Sequence, residues 1–281
     1  MGQFVLSHEA IVRGVIFASV LMTMAVWEAI RGLRPQRVGR AQRWPHNLLL
    51  VVVSTALLRV LFPLAAVGAA YLAVERSWGV FNNFAVPLWM AIVGSFILLD
   101  LLIYWQHRLF HRVPWLWRLH RVHHTDLEFD VTTGLRFHPV EILLSMALKV
   151  VVVIALGAPP LAVLWFEVVL SSTAIFNHAN VALPATVERW ARWLVVTPSM
   201  HRVHHSVIRK ETDSNFGFNL PWWDRLFSSY RAQPKAGQLG MTIGLEVFRQ
   251  PQDSRLDRLL LQPFVRSSSP KVTPPMSNPE R

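Results

Sequence analysis

The sequence contains no cysteine. That absence excludes disulfide frameworks, thiol nucleophiles, thiolate-bound zinc and cysteine-held iron–sulfur clusters together. Charge is also scarce: 16% of the 281 residues are Asp, Glu, Lys or Arg, against about a quarter in an ordinary soluble domain. Acids are the scarcer sign, 17 against 28 Lys and Arg, which leaves a formal net charge of +11. Nucleic-acid binding would explain that balance but not the long apolar runs, and 52% of the chain is hydrophobic. A bilayer is the expected solvent, and nucleic acid is not an expected partner. Only three Tyr accompany twelve Trp and sixteen Phe, a set suited to lipid-facing and interfacial surfaces. Also missing are HExxH with its glutamate base, the GxGxxG nucleotide fingerprint, and the Glu-x-x-His ligand pair of soluble di-iron bundles.

The apolar runs predict an all-α integral membrane protein of about four to five spans. Residues 11–30 form the first, long enough at 1.5 Å per residue for a hydrocarbon core of roughly 30 Å. No small-residue cleavage site follows a short apolar core, so this run is expected to be a retained span. Residues 48–74 and 86–105 are the next two. Residues 140–156 and 161–176 are shorter and flank Gly157, Ala158, Pro159 and Pro160, the punctuation of a helical hairpin tip. The loop after the first run carries Arg31, Arg34, Arg37, Arg40 and Arg43 with no acid, whereas the next has only Arg76 beside Glu75. By the positive-inside rule the first loop is cytoplasmic. The stretches 107–139 and 178–281 then share that side. The expected organisation is N-terminal spans over 1–106, a cytoplasmic segment over 107–139 and a hairpin over 140–176. A cytoplasmic helical, histidine-rich cap over 177–266 and a disordered tail over 267–281 follow, in a protein of the plasma or inner membrane. Arg59 and Glu167 lie at similar depth and are expected to pair as helix glue.

The histidines carry the chemistry. HRLFH supplies His107 and His111, HRVHH supplies His120, His123 and His124, and a second HRVHH supplies His201, His204 and His205. On a helix, positions i, i+3 and i+4 share a face, so each box presents imidazoles toward a common point. Neutral imidazole suits zinc, copper, iron and nickel. A single zinc takes about four ligands, so eight clustered histidines point to two metals. His8 and His46, by contrast, read as polar groups at the headgroup boundary. Arg108, Arg112, Arg118, Arg121 and Arg202, interleaved with the boxes, are expected to face lipid phosphates or solvent. Asp100, Tyr104, His107 and His111 continue one helical face from the third span. Asp100 is expected either to orient an imidazole or to form a structural ion pair.

The ordered boxes HxxxH, HxxHH and HxxHH, with spans before the first and a hairpin before the last, resemble the fatty acid hydroxylase / sterol desaturase superfamily of membrane di-iron enzymes. RFHPVE (His138) and FNHANVALP (His178) are similar to family segments, which implies that both histidines complete the metal site; some members carry a further histidine at the place of Ala174. The stretch after the third box, with its Asn-aromatic-Gly turn and Trp-Asp segment, also resembles the family, and Asn215 and Asp224 are candidates to bond site imidazoles. Trp222 and Trp223 are expected to be interfacial anchors. The resemblance implies two iron ions and O2 as co-substrate. The implied reaction inserts one oxygen atom into an apolar lipid, sterol-like, alkylglycerol or fatty acyl, or removes two hydrogens to leave a double bond. Electrons are expected from an external ferredoxin or cytochrome-type donor docking on the basic cytoplasmic face. A zinc hydrolase or a non-catalytic metal-binding membrane protein are the readings from other classes.

Overall fold

The computed structural model describes residues 2–266, so the tail expected over 267–281 lies outside the described residues. These residues form helices and turns with no strand, only one isolated bridge between Ser206 and Ile243. Five helical segments are long and apolar enough to cross a bilayer: Glu9–Arg31, Arg40–Asn83, Leu88–Arg112, Pro139–Leu156 and Pro160–Asn177. A short α1 (Gly2–Ser7) precedes the first of them, α2 (Glu9–Arg31).

The second apolar run is not one helix. α3 (Arg40–Leu61) stops at Phe62, and α4 (Ala65–Glu75) restarts after Pro63 and Leu64. Proline lacks an N–H and disfavours helical geometry in the residue before it, and Phe62 leaves the helix with φ −128° and ψ 67°. A single turn, α5 (Val80–Asn83), follows. α6 (Leu88–Arg112) then runs without interruption through the third apolar run and the first histidine box. Its buried face includes Leu99, Asp100, Ile103, Tyr104, His107 and His111, the face expected from their spacing.

Pro114 opens α7 (Pro114–His124), which carries the second box, and Pro139 opens α8 (Pro139–Leu156). Gly157 takes φ +65° at the end of α8, a left-handed cap that suits glycine, and Pro160 begins α9 (Pro160–Asn177), so the hairpin tip forms where expected. α9 packs against α2, α4 and α6. Ala66, Val67, Leu99, Val163, Leu164 and Phe166 are the centre of the resulting core.

The remaining helices are short: α10 (Ala185–Leu194), α11 (Pro198–His204) with the third box, α12 (Arg209–Thr212), α13 (Trp222–Leu226), α14 (Gly237–Gly240) and α15 (Leu256–Leu261). α10 is amphipathic and leaves Val187, Trp190, Trp193 and Leu194 exposed, the composition of a helix lying in a membrane interface.

Several charges sit inside the fold. Arg43, on the first turn of α3, is fully buried and donates to Asp126 at 2.6 and 2.7 Å and to Asp130 at 2.7 Å. Burial alone would raise the Asp126 carboxyl, but Arg43 and Arg136 outweigh it and hold the group well below the usual carboxylate range. Glu28, at the end of α2, accepts from the backbone N–H of Val131 and of Asn180 and so ties the first span to the loops after the second box and after α9. The expected Arg59–Glu167 pair does not form. Glu167 instead accepts from Arg13 at 2.7 Å and Lys149 at 2.5 Å, because α2 and α8 present cations to it, while Arg59 is exposed. Two arginines expected to face lipid or solvent are also buried. Arg202 donates to the carbonyls of Ala179 and Val181, and Arg121 to those of Gln262 and Val265.

Candidate metal centre

Nine of the ten candidate histidines meet at one end of the helix bundle. His107, His111, His120, His124 and His204 form one group, and His123, His178, His201 and His205 form a second; within each, the ligand-capable atoms lie within 4.8 Å of one another. All nine side chains are buried. The groups adjoin: the His124 and His205 rings stack at 4.6 Å, and those of His201 and His204 at 5.1 Å. Four stretches of chain build the pair. α6 and α7 supply most of the first group, and the residue ending α9 gives His178 to the second. The third box splits, sending His204 to one group and His201 and His205 to the other.

The tautomers follow from the partners. A carbonyl can only accept, so the ring nitrogen facing it carries the proton. His107 donates through Nδ1 to the Phe216 carbonyl at 2.8 Å, His204 to Ser214 at 2.7 Å and His178 to Ala174 at 2.7 Å. The carboxylates of Glu141 and Asp213 do the same for His120 at 2.7 Å and His111 at 3.2 Å. For His107, His111, His120 and His204 this leaves the Nε2 lone pair without a hydrogen-bond partner, whereas Nε2 of His178 lies 3.1 Å from Nε2 of His123 in the second group. The Nε2 atoms of His107, His111, His120, His124 and His204 are buried with no hydrogen-bond partner, as are Nδ1 of His123 and both ring nitrogens of His201 and His205. Buried polar atoms are almost always satisfied, so so many converging, unsatisfied nitrogens fit a metal ion in each group.

Electrostatics agree with that fit. Burial pushes the imidazoles of His120 and His178 down to about 3. Burial, with neighbouring imidazoles adding to it, holds His123, His124, His201, His204 and His205 well below their ordinary value. Rings in this state are neutral at pH 7, the form that binds metal.

His138 stands apart from both groups. Its Nδ1 accepts from the Val140 N–H, capping α8, and its Nε2 donates to the Leu260 carbonyl at 3.2 Å, so neither nitrogen has a lone pair to spare. Ala174 contributes its carbonyl, which fixes His178. Gly134 lies against that carbonyl so closely that a Cβ there would come within 2.3 Å of it.

None of the four further residues expected near the imidazoles bonds one. Asp100 accepts from Trp223 Nε1 at 2.8 Å and the Leu220 N–H at 3.2 Å. Tyr104 bonds Ser229 and receives Arg108, while Asn215 spans Met200 and Arg231. Asp224 accepts from the N–H groups of Phe216 and Gly217, which positions the very carbonyl that His107 uses. Trp223 is accordingly buried and not an interfacial anchor, whereas Trp222 is 45% exposed. The residues that do hold imidazoles through side chains, Glu141 and Asp213, were not singled out from the sequence. Glu141 sits three residues after His138, in the first turn of α8, and that spacing was the available signal.

A cavity of about 340 Å³ leads away from the first group between α3, α6, α8 and α9. His107 and His120 stand in its wall with Phe110, Phe137, Ile103 and Met146.

Fold and site together define a helical membrane protein with two adjoining groups of imidazoles that can each hold a metal ion. Residues 92–229, just under half of the chain, match the fatty acid hydroxylase family, in keeping with the resemblance of the histidine boxes to the fatty acid hydroxylase / sterol desaturase superfamily. It is 30% identical over 189 residues to the ornithine lipid hydroxylase OlsE of Rhizobium tropici, covering 66% of this chain and 54% of that protein. It is 26% identical over 160 residues to the alkylglycerol monooxygenase of Homo sapiens, covering 55% and 34%. With the cholesterol 25-hydroxylase of Rattus norvegicus it shares 29% over 148 residues, covering 51% and 47%. The matched stretch thus spans about half or less of each of these relatives. No solved structure matches.

Proposed function

We propose that the protein is an O2-dependent membrane hydroxylase that holds two iron ions and oxidises an unactivated C–H bond of an apolar lipid. The observation that carries this reading is the apolar cavity ending on His107 and His120, two members of a nine-imidazole, two-group centre. Five nitrogens in one group exceed the four of a tetrahedral zinc site, and among the described residues no carboxylate joins either group. The imidazoles gather at one end of the bundle, whereas a carrier would spread ligands along a path across it. The names of the relatives, hydroxylases and monooxygenases of lipids, support the same class.

Iron bound in the two groups supplies the reduction of dioxygen and the oxidation of the lipid carbon. The chain does the rest. Phe110, Phe137, Ile103 and Met146 exclude water from the cavity and give an apolar chain a place to lie. Glu141 and the carbonyls of Phe216 and Ser214 hold His120, His107 and His204 in the tautomer that leaves Nε2 free, and the Ala174 carbonyl fixes His178 with its Nε2 toward His123. The histidine end faces the cytoplasm of a plasma or inner membrane, a placement supported by exposed Arg31 and Arg37 on that side. An external ferredoxin or cytochrome-type donor supplies electrons there. Trp117 supports a docking point at that surface, with its ring 4.9 Å from His111 and 5.4 Å from His124 and Arg209 lying over its outer face.

Comparison of total lipids from cells with and without the protein, by mass spectrometry, tests the reading. A product heavier by one oxygen atom is the expected result. Loss of two hydrogen atoms would make the enzyme a desaturase with the same site, and a protein purified with a single zinc would overturn the oxygenase.

A further inference from the structure

The wall of this cavity also carries an ion cluster inside the membrane-spanning region. Lys149 of α8 and Glu167 of α9 both line the cavity and bond each other at 2.5 Å, and Arg13 of α2 bonds Glu167 at 2.7 Å from the other side. Charged side chains at this depth are expensive and mark sites unless they are needed to hold helices together. Holding α2 to α9 needs only Arg13 and Glu167. Lys149, buried where Arg13 is only partly so, is a second cation on a carboxylate that already has a partner.

Unused hydrogen-bonding capacity lines the same cavity. An ammonium has three N–H groups, and the side-chain hydrogen bond of Lys149 among the described residues goes to Glu167 alone. The Ser54 hydroxyl, 6% exposed and on the same cavity wall, is buried with no partner. Gln106 donates to Ser145 at 2.6 Å and leaves its carbonyl oxygen buried and unpartnered in that wall. The charges nearly balance, since Glu9 lies 3.6 Å from Arg13, so the cluster does not call for an anion. Its spare groups are N–H donors on Lys149 and lone pairs on Glu167. A group that both accepts and donates, a hydroxyl, satisfies them together.

We propose that this cluster is a subsite for an alcohol group of the lipid that occupies the cavity, with Lys149 donating to the hydroxyl oxygen and the hydroxyl proton directed to Glu167. The inference rests on the lipid hydroxylase reading and narrows its substrate to a lipid alcohol. Lys149 follows Glu141, the partner of His120, by eight residues on α8, about 12 Å of helix. The subsite therefore sets which carbon stands against His107 and His120, a distance of that order from the hydroxyl. Lys149 is a specificity-determining residue in this arrangement.

Binding of 1-dodecanol, dodecyl methyl ether and dodecane to the metal-loaded protein in detergent, measured by calorimetry, tests it without turnover. The wild type is expected to prefer the alcohol over both other probes by roughly tenfold or more, the scale of a hydrogen bond to a charged group. Lys149→Met leaves Glu167 paired with Arg13, so the variant is expected to fold, keep its metal and bind dodecane as the wild type does while losing the preference. Ser54→Ala, which removes no charge, is expected to reduce it. Equal binding of the three probes by the wild type, or an unchanged preference in Lys149→Met, overturns the inference. If the preference holds but no oxidised lipid is ever formed, the hydroxylase reading fails while the alcohol subsite stands.

Discussion

At the scale of single residues, the site separates histidines that look alike in sequence. His120 and His138 both lie in motif-like segments, yet His120 has a free Nε2 and His138 spends both nitrogens on backbone groups. His120→Ala is therefore expected to abolish loading of the first group, whereas His138→Ala keeps both metals and costs about 1 kcal/mol of stability through the lost helix cap; metal analysis and thermal unfolding of the two purified variants check this. Glu141→Ala leaves His120 in place without its acceptor and is expected to weaken metal affinity by roughly ten- to a hundredfold, read by competition with a chelator. The boxes made eight of the nine converging imidazoles legible, because helical spacing brings such imidazoles to one face, while His178 was implied only by the resemblance of its segment to the family. The fine partners were not legible. Asp100 has the right register for the site but turns to Trp223, and no spacing rule reveals that Asp213, far along the chain, reaches back to His111.

At the scale of elements, loops matter as much as spans. The segment between the second box and α8 is held by buried charges: Arg43 from α3 and Arg136 enclose Asp126, and Glu28 from α2 takes the Val131 N–H. Arg43→Met leaves two buried carboxylates without their main partner, and a loss of about 3–5 kcal/mol is expected, measured as a fall in the unfolding midpoint of the detergent-solubilised protein. From sequence, Arg43 counted only as one more positive charge setting orientation. Its burial depends on a contact with Asp126 across 83 positions, which local pattern does not carry. Gly134→Ala is expected to act differently. The added methyl would press on the Ala174 carbonyl and the His178 ring, so metal is lost from the second group while the first retains its five imidazoles. A stoichiometry falling from about two metals toward one would show it. The break at Phe62 was missed for a related reason: continuous hydropathy over 48–74 hid Pro63, although proline chemistry alone was enough to predict a break there.

At the scale of the whole molecule, the chain is a bundle with its chemistry at one end and a positive surface around it. Arg112 and Lys210 are exposed near Trp117 and His111, and neither belongs to the ion pairs that hold the site. Reversing both, Arg112→Glu with Lys210→Glu, is expected to lower donor-supported turnover about tenfold at low ionic strength and much less at high salt, with metal content unchanged, as electrostatic steering requires. Stopped-flow kinetics with a reduced acidic ferredoxin give the readout. The division of the third box between the two groups also governs how the molecule comes into being. Ribosomes deliver α6 and α7 well before His201, His204 and His205 emerge, and neither group has its full set of nitrogens until they do. A nascent polypeptide arrested in the hairpin would carry four imidazoles of the first group but only His123 of the second, so the paired centre, and with it any oxidising reactivity, is deferred until the bundle has closed around its own membrane segments.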